Sequence, residues 1–233
     1  MERHDRQPPA ALPRRGFLSR LSMAAAGLLT GGVATGAGTA AAQHASARPS
    51  RTLPPEPWLE RLDGQHGQIF DAPSLGGGKA LQQARNYLDA YRDAYGLESD
   101  AIDAVIGAHG SAVPLVFHDT VWEKFGLGER FDVRDPRTGA PAHRNVFARG
   151  EEIGVVPPDA SVTALQERGV IFLLCNNSLK RLTTTLSQAG FGEQEAVRAE
   201  LLEGLLPGVE VVPAMVVALN VAQEKGLSYV YSG

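Results

Sequence analysis

At 233 residues, 43% of them hydrophobic and 21% charged, the chain has enough apolar material for one ordinary domain with a buried core. Its 22 basic and 26 acidic residues give a formal charge of −4; without residues 1–47 the balance is 17 against 24, or −7, which argues against nucleic acid or an anionic lipid surface as partner. The single cysteine, Cys175, excludes an internal disulfide, a zinc knuckle and a self-contained dithiol.

In chain order, Arg14-Arg15-Gly16-Phe17-Leu18 followed by an uncharged run rich in Ala, Gly and Leu over 21–42 has the pattern of a twin-arginine export signal. The run is too rich in small residues for a transmembrane span, and no second apolar run of membrane length follows, so no stable membrane span is expected. Small residues offer cleavage after Ala42 or after Ala47, which makes residues 1–47 a signal peptide and the mature protein periplasmic. Residues 48–63 are Pro-rich and polar and read as a linker, leaving 64–233 as the folded domain.

Within that domain, 67–71 reads as a strand, the glycines at 76–78 as a turn, and 79–95 as a helix with apolar residues at Leu81, Ala84, Leu88 and Tyr91 and a stop at Gly96. A second strand spans 101–107. Residues 114–125 read as a helix with Leu115, Val116, Trp122 and Phe125 on one face, and 126–157 as a long irregular loop of the kind that often carries function. A helix over 159–168, capped by Asp159 or Ser161, precedes the clearest strand, the continuous apolar run 169–174. Helices over 178–189 and 193–206, a strand over 209–212, a helix over 213–225 and a strand over 227–231 complete the chain. Strands alternating with helices predict a three-layer α/β/α sandwich around a mainly parallel, doubly wound sheet.

Cys175 closes the clearest strand and precedes Asn176-Asn177-Ser178 and a helix. In open parallel sheets that edge is where ligands bind, and a thiol at a helix N-terminus meets unpaired N–H groups that favour the thiolate. Lys180 and Arg181 follow within the next turn or so, whereas an inert buried cysteine is the equal alternative. Asn176, Asn177 and Ser178 are the adjacent candidate ligand-binding residues. His109 ends the 101–107 strand on the same edge and is a candidate base for the thiol. Trp122 and Asn145 are candidate pocket residues, although helix packing and turn geometry explain them as well. His66, His109, His118 and His143 lack close metal-ligand spacing, so no metal site or cofactor is assigned. Gly76-Gly77-Gly78-Lys79 is not a phosphate-binding P-loop, because Pro73 and Ala80 occupy required positions, and it reads as a turn.

The strand ending in Cys175, the segment Leu205 to Pro213 and the closing Ala218 to Gly226 together resemble the DsrE/DsrF-like family, in its exported, twin-arginine branch; Asp119, Trp122, Lys124, Gly128, Glu129, Arg144 and Asn145 fit the same order. The resemblance implies a DsrE-like α/β sandwich, assembly into homo-oligomers, and a cysteine that carries persulfide sulfur, at the position of Cys175. The chain departs from the pattern in being exported and in lacking cysteines near its C-terminus, so chemistry needing a second local thiol is excluded. Three functions follow as expectations. The first is a sulfur-handling or thiol-redox accessory protein, with a periplasmic sulfur compound or a partner thiol as its counterpart. The second is a non-catalytic ligand-binding or assembly module of the periplasm. The third is a metal or haem protein using His109 and His118.

Overall fold

The centre of the sheet grows from short apolar runs that are buried on both sides, as parallel strands sandwiched by helices must be. In the computed structural model, which describes residues 56–233, the elements are α1 (Pro57–Glu60), β1 (His66–Ala72), α2 (Lys79–Tyr95), β2 (Ile102–Ala108), α3 (Asp119–Phe125), α4 (Leu127–Arg130), α5 (Val162–Glu167), β3 (Ile171–Cys175), α6 (Asn176–Gln188), α7 (Gln194–Glu203), β4 (Val209–Val212), α8 (Met215–Glu224) and β5 (Ser228–Tyr231). The expected signal peptide and its cleavage sites lie outside the described residues. Among those described, no helix is long and apolar enough to cross a membrane.

Five strands pair in the order β4-β3-β2-β1-β5, and every pairing is parallel. The chain steps one way from β1 to β4 and then returns across the sheet to place β5 beside β1. Parallel crossovers are right-handed, so connections running in opposite directions deliver their helices to opposite faces. The packing follows that rule. Phe70, Ile106, Phe172 and Leu174 point into a core shared with Leu81 and Leu88 of α2 and with Leu179 and Leu186 of α6. Ile69, Val105, Ile171 and Leu173, their neighbours in the period-two alternation, point into a second core with Met215, Ala218 and Ala222 of α8. The three-layer α/β/α sandwich expected from the sequence is the fold.

Three local expectations change. The domain begins earlier than residue 64, because Trp58 of α1 is only 1% exposed and packs into the α8-side core. The helix expected over 114–125 is two pieces. Gly110–Val116 forms a tight 3-10 turn, Phe117 and His118 are extended, and α3 begins only at Asp119. Pro114 brings no N–H to that turn, and the carbonyls that would continue it are taken by side chains from elsewhere. Trp122 Nε1 donates to Pro114 O at 2.9 Å, while Asn145 Nδ2 donates to Leu115 O at 2.9 Å and to Phe117 O at 2.8 Å. The long loop is also less open than its composition suggests. Phe147, Val146 and Val156 are buried in the α2-side core, and Arg144 ties Asp135 to Glu151. Of the two caps proposed for α5, Ser161 is the one that forms, its Oγ accepting from Ala164 N at 3.3 Å.

Candidate functional site

Cys175 sits where the winding of the sheet changes side. β3 runs without a loop into α6, which packs on one face, whereas β4 leads through Pro213 and Ala214 into α8 on the other. The carboxyl ends of β3 and β4, paired through Cys175 and Val212, therefore flank a topological switch point, the usual ligand crevice of an open α/β sheet.

The Cys175 side chain points to the α8 side and is 5% exposed. Burial pushes its thiol pKa up, as desolvation of a thiolate must. Hydrogen-bond donors outweigh that push: the N–H of Ser178, the N–H of Met215, the Ser178 hydroxyl and the N–H of Asn177 all favour the thiolate, and the net direction is down. The Met215 amide donates to Sγ at 3.3 Å, so both helices that meet at the switch point supply donors to one sulfur. Ser178 is held in turn, its Oγ accepting from Gly110 N at 2.9 Å. Gly110 has a left-handed φ of +58°, and a Cβ there would lie 2.5 Å from Pro73 O, so only glycine lets that amide reach Ser178.

A second polar cluster continues along the same edge. His109 Nε2 donates to Asp71 Oδ1 at 2.7 Å, and the Tyr229 hydroxyl donates to Asp71 Oδ2 at 2.8 Å. Asp71 is buried at the end of β1, with its backbone carbonyl accepting from Ser232 N at 2.8 Å. The Tyr229–Asp71 side-chain hydrogen bond, followed by burial, raises the Tyr229 pKa. Asp71 and Tyr229 were not singled out from the sequence. The available signal was an acidic residue closing an otherwise apolar strand.

The remaining candidates separate clearly. Ser178 belongs to the Cys175 site. Asn176 stands beside it, its Oδ1 accepting from Arg198 Nη2 at 2.8 Å, and Asn177 contributes its amide while its side chain is exposed. Lys180 and Arg181 lie exposed on α6. Trp122 and Asn145 do not join the Cys175 site. Both are buried in the layer on the opposite face from Cys175, where they satisfy the carbonyls of the 3-10 turn, and Asn145 Oδ1 also accepts from Phe147 N at 3.0 Å. The glycine turn is occupied by the protein itself: a Cβ on Gly78 would strike Val156, and Lys79 Nζ donates to Gly233 O at 2.8 Å. Among the described residues, no group of three or more His, Cys, Asp or Glu side chains is arranged to hold a metal ion.

No protein-family model and no curated protein matches the chain. Among solved structures, a protein of unknown function from Methanobacterium thermoautotrophicum is similar over 71% of this chain and 98% of its own, with 17% sequence identity and a TM-score of 0.38.

Proposed function

We propose that this chain is an exported, DsrE-like accessory protein of the periplasm that carries sulfur on the single thiol of Cys175. The observation that carries this reading is the set of donors from α6 and α8 converging on one sulfur, which favours a thiolate despite burial. The thiolate is the nucleophile in sulfur exchange. Attack of the Cys175 thiolate on the terminal sulfur of a hydropersulfide, R–S–SH, breaks its S–S bond, releases R–S⁻ and leaves Cys175–S–SH. Atoms, charge and electrons balance without an added oxidant. Return of the sulfur to an acceptor thiolate is the same step reversed.

Because Cys175 is the sole cysteine, no local resolving thiol competes for the persulfide. The 5% exposure favours a slim donor, such as the end of a polysulfide chain, over a bulky disulfide. The twin-arginine pattern supports the address, and export of a folded chain suits a homo-oligomer assembled before it leaves. The test is intact mass after exposure of the mature protein to inorganic polysulfide. The reading expects one or more sulfur atoms on the wild type, removed by a reducing thiol, and none on Cys175→Ala. Equal masses for the two proteins would defeat it in favour of the non-catalytic binding module.

A further inference from the structure

We infer that Asp71, His109 and Tyr229 form a proton-holding arm of the Cys175 site, with His109 the acceptor of the thiol proton and Asp71 and Tyr229 its positioning residues. The inference rests on the reading of Cys175 as the reacting thiol and adds the route by which that thiol is deprotonated.

Register places His109 beside Cys175, with Asp71 one strand over and two residues behind. Asp71 pairs with Gly107, and Gly107 with Leu173, so these three share a level across β1, β2 and β3. His109 and Cys175 each lie two residues further on. The extended conformation continues through His109, at φ −150° and ψ 179°, and its N–H donates to Ala72 O at 3.0 Å as a continuing ladder would. Two residues along an extended strand return a side chain to the same face. Leu173 and Cys175 face α8, and a Cβ on Gly107 would strike Met215 of α8, so His109 and Cys175 emerge on one face at one level. Neighbouring strands stand about 4.8 Å apart, so His109 and Cys175 are next-door neighbours across β2 and β3, with the ring's Nε2 turned to Asp71 on β1.

An ionised carboxylate only accepts, so the Nε2 that lies 2.7 Å from Asp71 donates, and in the neutral ring Nδ1 keeps its lone pair. The Asp71 and His109 side chains are 10% and 26% exposed. Asp71 is thus shielded enough to hold the ring, and His109 is not sealed off. Tyr229 donates to the other carboxylate oxygen from the exposed β5 edge. Of the other groups packed nearby, α8 presents Met215, α6 presents Ser178, and Arg198 of α7, a full positive charge, is hydrogen-bonded to the neutral Asn176. In the step itself the S–H bond of Cys175 breaks, its electron pair stays on sulfur, and an N–H bond forms at Nδ1. Thiolate and imidazolium are created together, with Asp71 balancing the new positive charge.

The test compares pH–rate profiles of iodoacetamide alkylation for the wild type, His109→Gln, Asp71→Asn and Tyr229→Phe, with circular dichroism confirming the fold. Near neutral pH, His109→Gln should react about tenfold more slowly, the fold-change that corresponds to about one unit of thiol pKa. Asp71→Asn, which keeps the ring and removes its anion, should fall between that variant and the wild type. Tyr229→Phe removes one of the two donors that fix the Asp71 carboxylate, so it should react more slowly than the wild type, by less than Asp71→Asn does. All four rates should approach one another in alkaline buffer, where the thiol ionises unaided. Folded His109→Gln and Asp71→Asn proteins with the wild-type profile would overturn the arm and leave the Cys175 reading standing. An ordinary thiol profile in the wild type would end both. Should a variant fail to fold, nitrogen-15 spectra of the wild-type ring decide the matter: the proton must sit on Nε2, and the opposite tautomer refutes the arm.

Discussion

Ser178→Ala isolates one of the donors that hold the Cys175 sulfur. The hydroxyl both favours the thiolate and anchors on Gly110 N–H, while the Ser178, Met215 and Asn177 amides survive the substitution. A hydrogen bond to a charged group contributes about 1.5 kcal/mol or more, which corresponds to about a tenfold smaller thiolate fraction when it is lost. The surviving thiolate becomes more basic and so more nucleophilic. With a Brønsted coefficient of about 0.4–0.5, it gains about threefold in intrinsic rate. The variant should therefore be alkylated about threefold more slowly than the wild type in mildly acid buffer and about threefold faster in strongly alkaline buffer, with the two profiles crossing. Stopped-flow or mass-resolved alkylation with iodoacetamide across the pH range reads both limbs. Coincident profiles would refute the claim that these donors, rather than burial, control the thiol; so would slowing by a constant factor at every pH, which reports altered access.

Asn145→Ala should be a stability variant only: its three shortest buried side-chain hydrogen bonds, at about 1 kcal/mol each, predict a loss of about 3 kcal/mol, or about 6 to 12 °C in Tm, with the alkylation profile unchanged. Urea titration and the thiol assay together check it, and a changed thiol profile in the folded variant would return Asn145 to the site. Gly107→Ala should displace Met215 and cost about 1 kcal/mol, at the low end for overpacking because a thioether adapts. Since the Met215 amide donates to Sγ, the same variant should also slow alkylation near neutral pH. The folded thiol ionises at lower pH than the unfolded one, so ionisation stabilises the fold. That contribution is lost as pH falls through the folded pKa and is complete above the unfolded value of about 8.5. The Tm difference between the wild type and Cys175→Ala should therefore shift in favour of the wild type from pH 6 to pH 9, and a pH-independent difference would contradict it.

Much of this fold is legible in the sequence because its strands are short apolar runs bounded by Gly or Pro. All five runs become strands, and Cys175 stands out because a buried strand passes straight into a helix there. What fails to show is whatever depends on distant partners. Leu115, Val116, Trp122 and Phe125 keep helical spacing, yet Asn145, from about thirty residues downstream, captures the carbonyls that a continuous helix would use. Trp58 is hidden by its proline-rich setting, and only the packed α8 face reveals that it belongs to the core. Asp71 and Tyr229 are 158 residues apart and meet because β5 returns to the edge beside β1, a neighbour relation that no local pattern encodes.

Whether Cys175 carries sulfur at the far end of the export route is read from the intact mass of the protein purified from its own periplasm without reductant. The expected species is a chain beginning at Gln43 or Arg48 that bears additional sulfur, lost on reduction and absent from Cys175→Ala. A processed wild-type chain of bare mass, still bare after polysulfide treatment, would contradict it.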